Sequence, residues 1–358
     1  MTTRTAPFVA RPTIRVDGQE YATVRELLSG MDMLETEGGM SRVQLRFTNF
    51  KSRERGRAGY AFEDNQILKL GAAISVYAGR EAQPDQIFRG SITRLERSYS
   101  DGPPELVVLA EDAFQRARMV RRTKTYPRLT IRECAEQVAR VCSLTPVIDG
   151  LTDQVGPQVQ CNESDLSFLR RLLERHGADL QVVGDEMHVS ARSAVQRGTV
   201  DLELHEGLRK VRVLADLTDQ VSDVTVTGWD AAQGRRVRVT SQAAASGPGT
   251  GSTGARQLQT SPFGRRSHHV SSLAVRDEPE ARALAEAVFD RRARRFVRLE
   301  ASTAGSPQIR VGTHVHITGL GDRFDNTYYV VQVRHRYGVP TPGYVTDFHA
   351  ECAHWGVP

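Results

Sequence analysis

Apolar and polar residues alternate through much of residues 1–125, which is the pattern of strands with one buried face. The run Val43–Thr48 is the clearest case, and Ile74–Ala78 repeats it. Before both runs, Thr23 and Glu26 predict a capping box at the start of a short helix. We expect this region to form a first β-barrel domain or a strongly bent sheet.

Between residues 126 and 204, the spacing of apolar residues changes to that of amphipathic helices. Thr130 and Glu133 form a second predicted capping box, and another helix is expected to begin after Asn162. The turn at Gly184–Asp185 lies between two short apolar runs and predicts a β-hairpin. Residues 126–204 are therefore predicted to be an α+β insert of two helices plus a hairpin.

The last part of the chain returns to the pattern of strands, from which we expect a second β-barrel domain at 241–358. It holds a run of Gly and Ser at 243–254, predicted to be a flexible loop. A long helix is expected near 278–296, because Asp277 can cap it.

Composition favours a globular protein of two to three domains, since 358 residues allow about 150 per domain. No apolar run approaches the roughly 18 residues that a membrane-spanning helix needs, and the first residues carry no secretory signal pattern. The four cysteines match neither a disulfide framework nor paired zinc ligands. We expect synthesis in the bacterial cytoplasm without a signal peptide, and no membrane insertion by the protein itself.

Known catalytic motifs are absent from the sequence: it has no P-loop, no nucleophile elbow and no His-Glu-x-x-His zinc motif. The best metal candidates are His314 and His316, which share one face of a predicted strand. A third ligand would have to come from His335 or His349. We predict that the protein is not an enzyme and has no catalytic residues, cofactor or metal, and we keep a metal-dependent hydrolase at His314 and His316 as an alternative.

The charge balance leaves a second alternative, a basic module that binds nucleic acid. The net charge is +5, with 48 basic and 43 acidic residues, and basic clusters occur at Arg53–Arg57, Arg116–Lys124 and Arg291–Arg295. Nucleic-acid binding requires such charges on one face beside aromatic side chains that stack on bases. Aromatic residues make up only 6% of this chain, so no specific nucleic-acid partner is expected.

One segment, Gln160–Gly177, closely resembles the signature of the phage late control protein D family. That family comprises tail baseplate hubs and the hub portion of VgrG-like spike proteins of contractile injection systems. Phe88–Ile92, Val311–Gly319, Tyr328–His335 and Gly343–Phe348 resemble further strands of the family in the same order. The signature residues are Asn162, Glu163, Ser164, Asp165, Phe168, Leu169, Leu172 and Gly177.

The resemblance implies a β-rich α+β fold with two tube-like β-barrel domains and an α+β insert, assembling as a ring-shaped trimer. The first barrel, residues 1–125, would be completed by residues 205–240.

The resemblance also implies a structural function: a baseplate hub that adapts the six-fold tail tube to the three-fold spike of a phage tail or contractile injection system. Its expected partners are two further copies of itself, a separate spike protein, a tail tube or tube-initiator protein, and baseplate wedge proteins. It would be incorporated in the baseplate of a phage-tail-like particle. Possible interface residues are Arg170, Arg171, Arg175, Arg291 and Arg294.

Overall fold

The computed structural model describes residues 11–52, 58–63, 66–80, 83–242, 247–271, 273, 275–339 and 343–356. The predicted basic cluster Arg53–Arg57 and residues 243–246 of the predicted loop lie outside this part of the chain.

The first block of the chain is built almost entirely of strands. Its elements are β1 (Thr13–Val16), β2 (Gln19–Glu20), α1 (Ala22–Leu27), β3 (Leu28–Thr36), β4 (Arg42–Thr48), β5 (Lys51–Ser52), β6 (Ala58–Gly59), β7 (Ala73–Arg80), β8 (Gln83–Ser98) and β9 (Glu105–Glu111). The predicted alternation holds in β4, where Val43, Leu45 and Phe47 are fully buried. These side chains lie in the core of this block, which also includes Tyr337 from the far end of the chain.

The capping box predicted at Thr23 and Glu26 is wrong. α1 begins at Ala22 with Tyr21 as its N-cap, and no side chain caps it. Thr23 therefore lies inside the first turn of the helix, where its side chain cannot act as the N-cap.

The middle of the chain folds as an α+β unit. Its elements are α2 (Phe114–Met119), β10 (Arg121–Tyr126), α3 (Ile131–Cys142), β11 (Thr145–Ile148), β12 (Gln158–Ser164), α4 (Asp165–Arg175), β13 (Ala178–Val183) and β14 (Glu186–Ala191). β13 and β14 form the predicted hairpin, and β11 pairs with β14 in parallel. The capping box of α3 is confirmed: Thr130 Oγ1 accepts from the Glu133 N–H at 3.1 Å, and the Glu133 carboxylate accepts from the Thr130 N–H at 2.8 Å.

The remaining elements begin at residue 199. They are β15 (Thr199–Glu203), β16 (Leu208–Ala215), β17 (Asp223–Asp230), β18 (Arg235–Ser241), β19 (Ser252–Thr253), α5 (Gly254–Thr260), β20 (Ser267–Val270), α6 (Glu278–Ala293), β21 (Val297–Ala304), β22 (His314–Thr318), β23 (Asn326–Gly338), β24 (Gly343–Cys352) and β25 (His354–Trp355). α6 lies where a helix near 278–296 is predicted, and the Asp277 carboxylate accepts from the Glu280 N–H at 3.0 Å.

From Thr250 onward the structure differs from the predicted flexible loop. The Thr250 N–H donates to Asn326 Oδ1 at 3.0 Å, and β19 pairs with β25. These contacts hold the segment from Thr250 onward against the last strands of the chain.

A single 13-stranded sheet contains strands from both ends of the chain. Within this sheet, β23 pairs with β22 through Asn326–Tyr329 and with β3 through Gln332–Gly338. β24 runs along the opposite edge of β23. One long strand therefore joins the first block to the last.

Residues 205–240 do not complete the first block, in contrast to the prediction. β16 pairs with β21, at the far edge of the large sheet. β17 and β18 form a separate sheet in the order β18-β17-β20, and one face of it packs on α6. The apolar residues of these strands pack against α6 and the last block. An alternating apolar pattern predicts that a strand has a buried face, but it does not predict which element covers that face.

Burial divides the described residues into four apolar cores: the first block, the α+β unit, the last block, and the small sheet with α6. Within the described residues, we find no helix that combines the length and the apolar character needed to cross a membrane.

Candidate interface residues and ionic junctions

The signature helix α4 begins three residues later than Asn162. Its N-cap is Ser164, whose Oγ accepts from the Ser167 N–H at 3.2 Å. Asn162 has a φ of 47° and its N–H donates to Thr123 Oγ1 at 3.0 Å, so it shapes the end of β12 instead. Asp165, in the first turn, forms an ion pair with Arg122 at 2.8 Å.

The other signature residues have roles inside the chain. Phe168 is buried and its ring stacks on Tyr126, with the ring centroids 5.3 Å apart. Leu169 and Leu172 are fully buried in the core of the α+β unit, and each such side chain contributes about 1.5–3 kcal/mol. Gly177 has a φ of 59°, which ends the helix where a side chain would be strained.

The predicted interface arginines of α4 also have partners within the chain. Arg170 donates to the carbonyl oxygens of Gly38 and Gly39 at 2.7 and 2.5 Å, and burial lowers its pKa. Arg171 forms an ion pair with Glu163 at 3.1 Å. These contacts tie the helix to the β3–β4 turn and to β12. A role between subunits stays a prediction.

Two further interface candidates join α4 to α6. Arg175 lies 3.7 Å from Glu280, and both side chains are largely buried. Arg291 forms an ion pair with Glu174 at the surface.

Arg294, the last interface candidate, belongs to a group that we call the Glu37 junction: Glu37, Arg192, Arg294, Tyr329 and Glu351. Arg294 donates to both carboxylate oxygens of Glu37 at 2.7 and 2.8 Å, and its Nε lies 3.4 Å from Glu351. Arg192 also pairs with Glu37, and its guanidinium lies 4.1 Å above the Tyr329 ring. Only 12% of the Arg294 side chain is exposed, which leaves little of it for another protein.

A second group, the Glu35 junction, consists of Glu35, Arg197 and Arg310. The carboxylate of Glu35 accepts from Arg310 at 2.7 Å and from Arg197 at 3.0 Å. The same arginines also donate to backbone carbonyls at the edges of two strands: Arg310 to Gln86 of β8 and Arg197 to Val182 of β13. This junction therefore fastens β3, β8 and β13 to one another.

Burial alone would raise the pKa of both glutamates, but their arginine partners outweigh it. In Glu35 the positive charges of Arg310 and Arg197 lower the pKa, and in Glu37 those of Arg192 and Arg294 do. Both carboxylates are therefore ionised at neutral pH, as buried ion pairs require.

The ionic junctions bring together parts of the chain that sequence reasoning left separate. Glu35 and Arg310 are 275 positions apart, and Glu37 and Arg294 are 257 apart. One local signal exists: Glu35 follows Met31 and Met33 at every second position of β3, and so lies on the same buried face. A carboxylate at a core position of a strand predicts a buried cationic partner.

A cleft of about 730 Å³ lies between β8 and the β13–β14 hairpin, and it holds two buried aspartates. Asp112 accepts from the Ser41 and Phe114 N–H groups at 2.5 and 3.0 Å, and Asp179 accepts from the Gln181 side chain at 2.6 Å. Burial raises the pKa of each aspartate to about 6. Both carboxyls therefore titrate just below neutral pH.

The histidines considered as metal ligands contact other side chains in the structure. His314 packs against the ring of Tyr329, and His316 is exposed and lies 3.3 Å from Thr327 Oγ1. His335 is buried between Tyr344 and Thr346, where burial lowers its pKa to about 3. Among the described residues, no three His, Cys, Asp or Glu side chains are grouped to hold a metal ion.

The whole fold is similar to that of tail proteins. A 43 kDa tail protein of the MuSo2 prophage of Shewanella oneidensis matches with a TM-score of 0.71 and 12% identity, over 96% of this chain and 98% of that one. A tail protein of Neisseria meningitidis MC58 matches with a TM-score of 0.67 and 12% identity, over 95% and 96%. A component of the Escherichia coli type VI secretion system, itself similar to bacteriophage tail proteins, matches with a TM-score of 0.61 and 13% identity, over 96% and 79%.

These likenesses confirm a β-rich fold of the kind found in tail proteins, whereas the two barrels and the trimeric ring stay predictions. No curated protein matches the sequence significantly. The name late control protein D stays a prediction, because the family model that matches has a different description. That model, described as the Alg8 N-terminal domain, matches residues 11–338, and the chain belongs to this family.

Proposed function

We propose that this protein is the structural hub of a phage-tail-like particle, in which three copies form a ring between a six-fold tube and a three-fold spike. The observation that carries the proposal is the match over nearly the whole length of both chains to the Shewanella prophage tail protein. The fold of that tail protein is present here from end to end. The proposed hub would bind a tube or tube-initiator protein on one side, a separate spike protein on the other, and wedge proteins around it.

The large sheet supports ring closure because its two ends are different. One end is β16, which exposes Arg209 and Lys210, and the other is β2, which exposes Glu20. Unlike surfaces favour head-to-tail contacts, and these close into a ring when the rotation between copies is one third of a turn. Stable interfaces of this kind bury about 2,000 Å² or more each.

The Glu35 and Glu37 junctions support a mechanical role. They connect the first block, the α+β unit and the last block through buried ion pairs at β3. Removal of one partner from such a pair costs about 3–5 kcal/mol, so the blocks resist separation. A hub that transmits force between tube and spike requires this resistance.

Native mass spectrometry of the full chain tests the proposal, alone and mixed with the tube and spike proteins of the same particle. We expect a trimer that binds both proteins. A chain that stays monomeric in both mixtures and binds neither protein would refute the hub.

A pair of variants tests which surface closes the ring. Arg209→Glu combined with Lys210→Glu reverses the charge of the β16 edge and is expected to weaken the trimer. Arg128→Glu combined with Arg140→Glu makes the same change of charge at exposed sites of the α+β unit and is expected to leave the trimer intact. Equal trimerisation of the two variants would exclude β16 as the ring contact.

A further inference from the structure

The small sheet β18-β17-β20 has one covered face and one open face. Val224, Val226, Val237 and Val239 point to the covered face and pack with the apolar side of α6. Because side chains alternate along a strand, the residues between them point away from α6. We call this outward surface the open face.

The open face combines an aromatic ring with positive charge. Trp229 is 60% exposed and lies opposite Arg236 across the β17–β18 pair. Arg238 is the next outward residue of β18 and lies opposite Thr227. The other outward side chains are Thr225, Thr240, Ser267 and His269.

Neither guanidinium of the open face is neutralised. In the described part of the chain, Arg236 and Arg238 have no ion-pair partner, unlike Arg122, Arg192 and Arg294 elsewhere. A carboxylate at the corner of the face, Asp223, already accepts from Ser267 at 3.0 Å and lies 3.5 Å from Arg265. The face therefore carries two uncompensated positive charges beside a large exposed indole.

Tryptophan and arginine are the residue types that contribute most to protein–protein binding energy. An exposed Trp on a sheet surface leaves a wide apolar area in water, and covering that area is favourable. The neighbouring arginines select an anionic partner, since like charges across an interface cost several kcal/mol.

The remaining side chains of the open face argue against nucleic acid as the partner. Binding of single strands uses several aromatic rings that stack on successive bases, and this face has one. Its hydroxyl groups are already engaged: Thr225 bonds Thr240 at 2.8 Å, and Thr227 bonds His269 at 3.0 Å. A membrane surface is also disfavoured, because Trp229 is the one large apolar side chain among these outward residues.

We propose that the open face docks an acidic segment of another protein, whose carboxylates pair with Arg236 and Arg238 while an apolar side chain covers Trp229. The inference rests on the proposed function in one respect only: the partner would be a neighbouring component of the same particle. The surface itself is separate from β16 and β2, the ends of the sheet proposed to close the ring.

A fluorescently labelled peptide of alternating Asp and Glu with one central Leu provides the probe for the full-length protein. We expect salt-sensitive binding, detected as a rise in anisotropy, that Arg236→Ala combined with Arg238→Ala weakens by about tenfold or more. Trp229→Ala should weaken it as well. The control, Arg128→Ala combined with Arg140→Ala, removes the same charge and is expected to bind like the unmodified protein.

Absence of peptide binding, or equal loss in the control, would overturn the proposal. So would tighter, Arg236-dependent binding of a single-stranded oligonucleotide or of vesicles containing phosphatidylserine, since either would identify another class of partner. Thermal unfolding of each variant checks that it is folded. Native mass spectrometry of the same samples separates this test from that of the hub, because open-face variants should still form trimers.

Discussion

The Glu35 junction and the Glu37 junction are centred two residues apart, at the end of β3 and just beyond it, but differ in how well their buried atoms are satisfied. Around Glu35, both carboxylate oxygens accept from guanidinium groups. Around Glu37, several buried atoms have no hydrogen-bond partner within the described residues: Arg192 Nη2, Arg294 Nε, Glu351 Oε2, Asp290 Oδ1 and Tyr329 Oη. A fully satisfied ionic group is rigid and costly to break, whereas an incompletely satisfied one tolerates change.

The largest effect is expected from Glu35→Gln. The change leaves Arg197 and Arg310 buried without a counter-charge, so the free energy of unfolding should fall by about 3–5 kcal/mol. Urea denaturation measures this loss. Glu300→Gln, at an exposed ion pair with Arg212 3.8 Å away, is the control and should cost less than about 1 kcal/mol. Equal losses in the two variants would show that the Glu35 junction adds no more than a surface pair.

A smaller loss, about 1–3 kcal/mol, is expected from Glu37→Gln. Glu351 remains within reach of both Arg192 and Arg294, at 4.0 and 3.4 Å, and keeps part of the charge balance. Glu37→Gln combined with Glu351→Gln removes that compensation and should cost more than the sum of the single changes. Strict additivity in the same urea experiment would show that the two carboxylates act independently.

The next effect depends on pH and concerns Asp179, whose pKa is raised to about 6 by burial and by the nearby charge of Glu37. A carboxyl whose pKa is higher in the folded state stabilises the fold most when protonated, and this contribution is lost as pH rises from about 4 through 6. Asp179→Asn removes the cost of the buried charge, so it should stabilise the protein at pH 7–8 by roughly 1–3 kcal/mol. The difference should shrink toward pH 4. Thermal unfolding across this range checks the sign, and a constant difference would contradict it.

The smallest effect is expected from Tyr329→Phe. The hydroxyl is buried without a hydrogen-bond partner among the described residues, so its removal should change the free energy of unfolding by less than about 0.5 kcal/mol, or raise it slightly. The ring remains beneath Arg192. A loss above about 1 kcal/mol would show that the hydroxyl is satisfied in solution and that the two junctions are more alike than their contacts indicate.

Local signals in the sequence predicted the elements that depend on neighbouring residues. Thr130 and Glu133 cap α3 as expected, and Asp277 caps α6, because all the atoms involved lie within one turn of helix. The same motif at Thr23 and Glu26 failed because α1 begins one residue before Thr23, which puts Thr23 inside the helix. The order of elements and the fold class came from the family resemblance together with the alternating pattern.

The ionic junctions could not be predicted from local signals. The sequence around each partner shows only that the residue is charged, and not which distant residue it pairs with. Nothing near Arg192 or Arg310 in the sequence identifies Glu37 or Glu35 as its partner, and the arginine-rich composition offers many alternatives. Because Glu35 lies on the same face of β3 as Met31 and Met33, the sequence predicts that it is buried. It does not predict which arginines pair with it. The same ambiguity explains why β16 was assigned to the wrong block: its apolar pattern fits any sheet with an open edge.

The pairing of β3 with β23 has a consequence for biosynthesis. Thr36 pairs with Gln332, so the ribosome must add nearly 300 residues before the partner of β3 exists. At bacterial rates of about 5–20 residues per second, this interval is roughly 15–60 s. During that time, the hydrogen-bonding edge of β3 that β23 later covers lacks its native partner and can recruit foreign strands. Chaperones that bind nascent chains would then protect this edge, and the proposed ring would assemble only from polypeptides whose last strands have been made.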